Sequence, residues 1–122
     1  DKYHCGGLWG NTCCSHPAWG EMPAASAHRR LQEELGLAVR LRACSVLDYE
    51  ADVTNGLREH ERVHIFRGDV DSRALRLDLN PDEVSATRWM TRGELRRASR
   101  VAPERFAPWF RIYLDRWDEL GL

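Results

Sequence analysis

The sequence has few of the features that direct a protein to membranes or to nucleic acid. Its 122 residues contain no apolar run near the roughly 18 residues that suggest a membrane span. The formal net charge is −1, so no overall field attracts nucleic acid or an anionic membrane surface. We therefore expect neither nucleic acid nor a membrane as a partner.

Lysine and cysteine are also scarce. Lys2 is the single lysine among 18 basic residues. The four cysteines lack the paired C-x-x-C spacing of a structural zinc site. No secretory signal pattern is present, which favours a cytoplasmic protein. Length and composition are typical of one globular domain covering residues 1–122.

The stretch Leu8–Leu37 holds the densest group of chemically active side chains. Its second half is typical of a helix, because Pro23 suits a first helical position and Gly36 suits the residue after the last. Apolar side chains recur three or four residues apart and form one stripe: Ala24, Ala27, Leu31 and Leu35. The sequence therefore predicts a helix between Pro23 and Gly36.

Charged side chains lie beside that apolar stripe. Arg30, Glu33 and Glu34 share a neighbouring helix face, and Glu21 precedes the first turn. Carboxylates gathered with an arginine suit a hard cation such as Mg²⁺ that bridges to a phosphate. A solvated helix face rich in arginine and glutamate is the plainer alternative.

The spacing of these residues resembles the Nudix box, G-x5-E-x7-R-E-U-x-E-E-x-G-U with U apolar. Seven positions match it: Glu21, Arg29, Leu31, Glu33, Glu34, Gly36 and Leu37. Ser15 replaces the first glycine, and Arg30 replaces a glutamate that belongs to the metal cluster of Nudix pyrophosphohydrolases. The resemblance implies an α/β/α Nudix sandwich with a mixed sheet, either complete or missing its first strands. The replaced glutamate argues against ordinary diphosphate hydrolysis.

Four further motifs resemble type I isopentenyl-diphosphate isomerases, which share the Nudix fold. They stand in that family's order: G-L-W-G-N at 7–11, N-T-C-C-S-H-P at 11–17, E-H-E at 59–61 and P-W-F-R at 108–111. The resemblance implies conversion of isopentenyl diphosphate into dimethylallyl diphosphate, so the expected partner is a small isoprenoid diphosphate. Sequences of that family carry about fifty more residues before the position of Lys2. Those residues supply the first strands of the sheet and two histidines of a metal site.

By this resemblance four residues belong to the catalytic site. Cys14 and Glu61 transfer the protons, Tyr49 lies beside a catalytic carboxylate, and Trp109 lines the site. The aromatic face of a tryptophan attracts a cation, which suits a reaction that passes through a carbocation. Two plainer roles stay open, namely Cys14 as a small buried apolar residue and Trp109 as a core or rim residue.

The resemblance also implies two metal sites. One holds Mn²⁺ or Zn²⁺ with His16, Glu59 and Glu61 together with the two N-terminal histidines, and the other holds Mg²⁺ at Glu34. Alternation along the strand supports part of this, because Glu59 and Glu61 share a face with apolar residues and an unpaired buried carboxylate is costly. An exposed, charged strand edge is the alternative.

Two basic residues are candidates for contact with the substrate diphosphate. The resemblance assigns this role to Arg30 in the box helix and to Lys2 near the start of the sequence. A solvated lysine is the plainer interpretation of Lys2.

Elsewhere the patterns predict further strands and two helices. Strands are predicted over 37–47, 59–68, 69–80 and 83–90, with Trp89 packed against the core. Thr91 and Glu94 have capping-box spacing for a helix that runs to about Ala98. A closing helix is predicted within Pro103–Leu122 and begins near Pro108. Cys13 and Cys44 are predicted to lie in the core.

Two other functions compete with the isomerase. One is a Nudix pyrophosphohydrolase acting on nucleoside or isoprenoid diphosphates. The other is a non-catalytic relative that binds a diphosphate or a partner protein. The sequence leaves the oligomeric state open.

Overall fold

The computed structural model describes residues 7–14, 16–52, 56 and 58–122. Its elements are α1 (Pro23–Leu35), β1 (Arg42–Asp52), β2 (Arg58–Arg67), α2 (Arg92–Val101) and α3 (Pro108–Asp115), with a short 3-10 helix at Pro103–Arg105. Helices and strands are both present, so the predicted α/β class is confirmed. The candidate Lys2 lies outside the described residues.

Strands β1 and β2 form an antiparallel pair. The register runs from Arg42 opposite Arg67 to Asp52 opposite Arg58, with one irregularity between Ala43 and Ser45. A single parallel bridge joins Trp9 to Phe106. Within the described residues, the sheet therefore has two strands and one parallel bridge, which is less than the larger mixed sheet predicted from the sequence.

Helix α1 begins and ends where the sequence predicted. Pro23 occupies the first helical turn, and Gly36 adopts a left-handed conformation with φ of 67°. The Gly36 N–H donates to the Gln32 carbonyl at 2.9 Å, which closes the last turn. A Cβ at this glycine would lie 2.7 Å from Asp78 Cβ, so glycine is required here for both conformation and space.

Two apolar clusters hold the elements together. The larger is formed by the sheet and the C-terminal segment: Leu47, Tyr49, Ile65, Phe106, Ala107, Phe110, Tyr113, Leu114 and Leu120. The smaller is formed by Leu31, Leu35 and Leu37, with Leu75, Leu77 and Leu79 packed against it. Cys13 and Cys44 are half-buried at the edges of the smaller and larger cluster respectively, so the prediction that they lie in the core is only partly right.

The predicted strand over 69–80 is wrong. This segment contains a turn at 72–74 and does not pair with a strand, because its backbone bonds to the end of α1 instead. Asp78 N–H donates to the Leu35 carbonyl and Asn80 N–H to the Glu34 carbonyl, both at 2.9 Å. The leucines alternate because one side of this segment packs against the apolar side chains of α1.

Three other predictions need correction. The strand predicted over 83–90 is irregular structure, and Trp89 is 63% exposed where packing was predicted. The strand predicted over 37–47 begins only at Arg42 and continues to Asp52. The closing helix is short, because α3 ends at Asp115 and is followed by turns.

Helix α2 has the predicted capping box. Thr91 Oγ1 accepts from Glu94 N at 3.1 Å, and Glu94 Oε1 accepts from Thr91 N at 2.8 Å. The helix extends to Val101, three residues beyond the prediction. Among the described residues, no helix combines the length and apolar character needed to cross a bilayer.

Candidate active site

The glutamate and arginine of the box form a two-pronged ion pair. Arg29 Nε and Nη2 donate to Glu21 Oε2 and Oε1 at 2.8 and 2.9 Å, and Arg29 Nη1 donates to Glu33 Oε1 at 2.8 Å. Hydrogen bonds from Arg29, and then from the Ala18 N–H, lower the pKa of Glu21 to about 2. This pair ties α1 to the turn that precedes it.

Arg30 contacts three carboxylates from the position where the box normally has a glutamate. Its Nη1 donates to Glu33 Oε1 at 2.6 Å, and its Nη2 donates to Glu34 Oε2 at 3.1 Å and also to Glu83 Oε2. Burial acts to lower the pKa of Arg30, but the three carboxylates outweigh burial and the pKa is raised. A fixed positive charge therefore lies inside the acidic group.

Glu34 is 1% exposed, and its carboxylate contacts two neighbouring side chains. The Cys13 thiol donates to Glu34 Oε2 at 3.4 Å, and Arg30 contacts the same oxygen. A carboxylate oxygen beside a phosphate is a normal setting for Mg²⁺, so Glu34 suits the predicted metal. Within the part of the chain that is described, no three His, Cys, Asp or Glu side chains converge on a metal position by themselves.

The structure brings together two ligands predicted for the Mn²⁺ or Zn²⁺ site. Nε2 of His16 lies 2.7 Å from Oε1 of Glu61, and these side chains are 71% and 27% exposed. Imidazole and carboxylate are a donor pair that suits Zn²⁺ or Mn²⁺. Glu59 lies opposite Ala51 on β2, but its side chain falls outside the described residues, so its role stays a prediction.

Tyr49 lies directly opposite Glu61 in the antiparallel pair. Side chains at opposed positions project from the same face of a sheet, so the tyrosine lies beside the carboxylate. Tyr49 is buried in the larger apolar cluster, whereas Glu61 is at its edge. This placement agrees with the predicted neighbourhood of Tyr49 and leaves its chemical role a prediction.

Tyr113 on α3 has the spacing of a core residue, and the structure gives it a second property. It is buried, and burial raises the pKa of its phenol well above the ordinary value. The negative charges of Cys14 and Glu61 raise this pKa further. Cys14 and Glu61, 47 positions apart in the sequence, therefore lie within electrostatic reach of one hydroxyl.

Trp109 lies one helical turn before Tyr113 and on the same side of α3, because residues four apart are neighbours on a helix. It is half-buried, and its Nε1 donates to Asn11 Oδ1 at 3.1 Å. The tryptophan is thus joined to the segment that carries Cys14. Five predicted site residues form one group around β2 and α3: Cys14, His16, Tyr49, Glu61 and Trp109. Two others, Arg30 and Glu34, belong to the acidic group on α1.

Sequence reasoning gave no role to three residues of these two groups. Glu83 has no pattern that links it to Arg30, and Tyr113 has the spacing of a core residue. Asn11 belongs to two of the quoted motifs, so a signal for it was present. In each case the partner lies far away in sequence.

Comparison with known proteins places these residues in a family. The NUDIX domain family matches residues 1–110. The chain belongs to the NUDIX family, so the resemblance of its box helix is confirmed.

Three similar curated proteins share the name isopentenyl-diphosphate Delta-isomerase. The protein from Dinoroseobacter shibae is 47% identical over 120 residues, which is 98% of this chain and 68% of the relative. That from Cereibacter sphaeroides is 50% identical over 93% of this chain and 64% of the relative. That from Rhodobacter capsulatus is 44% identical over 94% of this chain and 65% of the relative. The resemblance to these isomerases is confirmed, and the chain spans about two thirds of their length.

Proposed function

We propose that this chain carries out the isomerisation named in its relatives, the conversion of isopentenyl diphosphate into dimethylallyl diphosphate, in isoprenoid biosynthesis. The observation that carries the proposal is the 2.7 Å contact between His16, two residues after Cys14, and Glu61, which brings the Cys14 segment to strand β2. One group comes from the segment before α1 and the other from β2. Two proton-transfer groups from separate elements suit a reaction that needs protons at two carbons of a small substrate.

The reaction gains one proton and loses another. A proton adds to the terminal methylene carbon of the substrate, which leaves a tertiary cation, and a proton then leaves the carbon on the diphosphate side. The double bond moves by one position and the atoms balance. Cys14 and Glu61 share these two steps, and each acts as acid in one direction and as base in the other.

The surroundings of these groups suit a short-lived cation. Tyr49, opposite Glu61, and Tyr113 are buried in the larger apolar cluster, so the carboxylate borders an apolar interior. Fixed charges and aromatic faces stabilise a cation more strongly in such a setting than in water. Trp109, one turn from Tyr113, supplies the aromatic face.

The acidic group on α1 suits the diphosphate end of the substrate. Arg30 and Lys2 contact the diphosphate in this proposal, with Arg30 already surrounded by carboxylates. Bound metals supply charge neutralisation and polarisation, with Mg²⁺ at Glu34 and Mn²⁺ or Zn²⁺ at His16, Glu59 and Glu61. The position of Arg30 favours isomerisation over hydrolysis, because a cation replaces one of the acids of a hydrolytic metal cluster.

Proton NMR of the chain with isopentenyl diphosphate, Mg²⁺ and Mn²⁺ or Zn²⁺ in D₂O tests the proposal. We expect deuterated dimethylallyl diphosphate from the unaltered chain and no turnover from Cys14→Ala. Cys44→Ala is the matched control, because Cys44 is a half-buried thiol on β1 with no part in the proposed mechanism, and this variant should keep full activity. Circular dichroism confirms that both variants fold.

Three outcomes contradict the proposal in different ways. Turnover by Cys14→Ala would remove the cysteine from the mechanism. Release of inorganic phosphate or diphosphate without isomerisation would indicate a hydrolase. Binding of the substrate by a folded chain with no product would indicate a binding protein.

A further inference from the structure

The side chain of Asn11 bridges two parts of the candidate active site. Its Oδ1 accepts from Trp109 Nε1 at 3.1 Å, and its Nδ2 donates to the Cys13 carbonyl at 2.8 Å. An indole N–H only donates and a carbonyl only accepts, so these partners allow one orientation of the amide. Asn11 is half-buried, so water competes little for either bond.

The backbone around Asn11 is held to the same region of the chain. Trp9 N donates to the Arg105 carbonyl at 2.8 Å, and Ala107 N donates to the Trp9 carbonyl at 2.7 Å. A Cβ built on Gly10 would lie 4.0 Å from Trp109 Nε1, so the two segments run in van der Waals contact. Asn11 therefore extends a backbone pairing with a side-chain link to the tryptophan.

The carbonyl that Asn11 holds belongs to the peptide between Cys13 and Cys14. A hydrogen bond to this carbonyl fixes the peptide plane from which the Cys14 side chain projects. The opposite end of the same amide fixes the indole of Trp109. One short, stiff side chain thus sets the position of the aromatic ring relative to the thiol-bearing segment.

We propose that Asn11 is a positioning residue that holds the Trp109 ring against the Cys13–Cys14 peptide and so sets the ring's place beside the reacting carbons. The proposal rests on the isomerase function proposed above. Asn11 itself touches no substrate in this scheme. It acts through the tryptophan and through the backbone at Cys14.

The expected kinetic effect follows from the step at which the aromatic face is needed. The cation exists only near the transition state, so a displaced ring reduces kcat and leaves ground-state binding unchanged. Misplacement by about 1 Å lowers rates by roughly 100-fold. We expect Asn11→Ala to lower kcat about 10- to 100-fold with KM unchanged within about twofold.

A spectroscopic measurement without substrate tests the link itself. The indole N–H resonances of ¹⁵N-labelled protein are recorded, and Trp109→Phe identifies that of Trp109. We expect Asn11→Ala to shift this resonance and to speed its exchange with solvent. Asn11→Asp keeps an acceptor for the indole and loses the donor to Cys13, so it should keep the resonance near its original position with an intermediate kcat. Gln32→Ala, an exposed amide on α1, is the control and should change nothing.

The results separate the two proposals. An unmoved Trp109 resonance in folded Asn11→Ala would overturn the positioning role, as would an unchanged kcat in an active protein. If Asn11→Ala fails to fold, the test uses Asn11→Asp instead. A Trp109 resonance that moves away from its original position in this variant would overturn the role. Absence of isomerisation in the unaltered chain, with the Trp109 resonance moved in Asn11→Ala, would overturn the proposed function and leave the Asn11 link standing.

Discussion

Nε2 of His16 and Oε1 of Glu61 lie 2.7 Å apart, and this contact joins the segment before α1 to strand β2. On the same strand, the side chains of His60 and Arg62 project from the opposite face, because side chains alternate along a strand. Of the three neighbouring residues His60, Glu61 and Arg62, only Glu61 therefore faces His16. It also supplies a control histidine on the same strand.

His16→Ala should weaken the binding of Mn²⁺ or Zn²⁺ by the chain. Removing an imidazole ligand leaves fewer donors, and even changes in the residues that support metal ligands lower affinity roughly 10- to 100-fold. Isothermal titration calorimetry measures the affinity. His60→Ala should bind as the unaltered chain does, since His60 is exposed on the other face. Equal affinities in all three proteins would exclude His16 as a ligand.

Arg30→Ala should lower the free energy of unfolding by about 3 kcal/mol, because it leaves the buried carboxylate of Glu34 without its guanidinium partner. Urea unfolding measures this change. Glu34→Gln in the Arg30→Ala background should recover part of the loss, since a neutral amide needs no guanidinium to balance it. Arg73→Ala removes an exposed ion pair and should change stability by less than about 1 kcal/mol. Similar losses in the two arginine variants would contradict this explanation.

Glu21 should contribute to the acid sensitivity of folding. Its pKa in the folded chain is about 2, against an ordinary value of 4.5, mainly because of the hydrogen bonds from Arg29. A lowered carboxyl pKa stabilises the folded state above pH 4.5, and this contribution is lost as the pH falls toward 2. Glu21→Gln should therefore differ most from the unaltered chain near pH 7 and converge with it at low pH. Urea unfolding across this range measures the difference, and the exposed Glu104→Gln is its control.

Gly36→Ala should destabilise the chain by about 2 kcal/mol, since a left-handed φ strains any other residue and the new Cβ would meet Asp78. Gly93→Ala offers the opposite case. Its Cβ would come no closer than 4.0 Å to Thr91 Oγ1, and alanine favours a helix over glycine by up to about 1 kcal/mol. Thermal unfolding should show a lower Tm for the first variant and an equal or higher Tm for the second. A neutral Gly36→Ala would mean that the turn after α1 adjusts freely.

Local signals in the sequence predicted the box helix and strand β2 well. Pro23 and Gly36 fix the bounds of α1 through backbone geometry, and the alternation of 59–68 differs from the observed Arg58–Arg67 by one residue at each end. Both features depend on neighbours a few residues away. The bounds of α1 and β2 can therefore be predicted from short stretches of the sequence.

The failures share a different cause. The leucines of 69–80 alternate as in a strand, but Asp78 and Asn80 bond to the end of α1, and no local pattern records that choice of partner. The contacts from Arg30 to Glu83 and from Trp109 to Asn11 likewise join residues more than fifty positions apart. Such pairs become visible only in three dimensions. The motif resemblance named His16 and Glu61, which the fold brings into contact, and the roles of all the named site residues stay predictions.

The parallel bridge between Trp9 and Phe106 has a consequence for folding order. It joins the beginning and the end of the described chain, and α3 with Tyr113 follows directly. Closing so long a loop is entropically costly and slows folding relative to helices and hairpins that form locally. The hairpin β1–β2 and helix α1 can form early, while the region around Cys14 and Glu61 is completed only when residues past 106 arrive. During synthesis this bridge and the packing of α3 against the sheet should therefore form only after residues past 106 have left the ribosome.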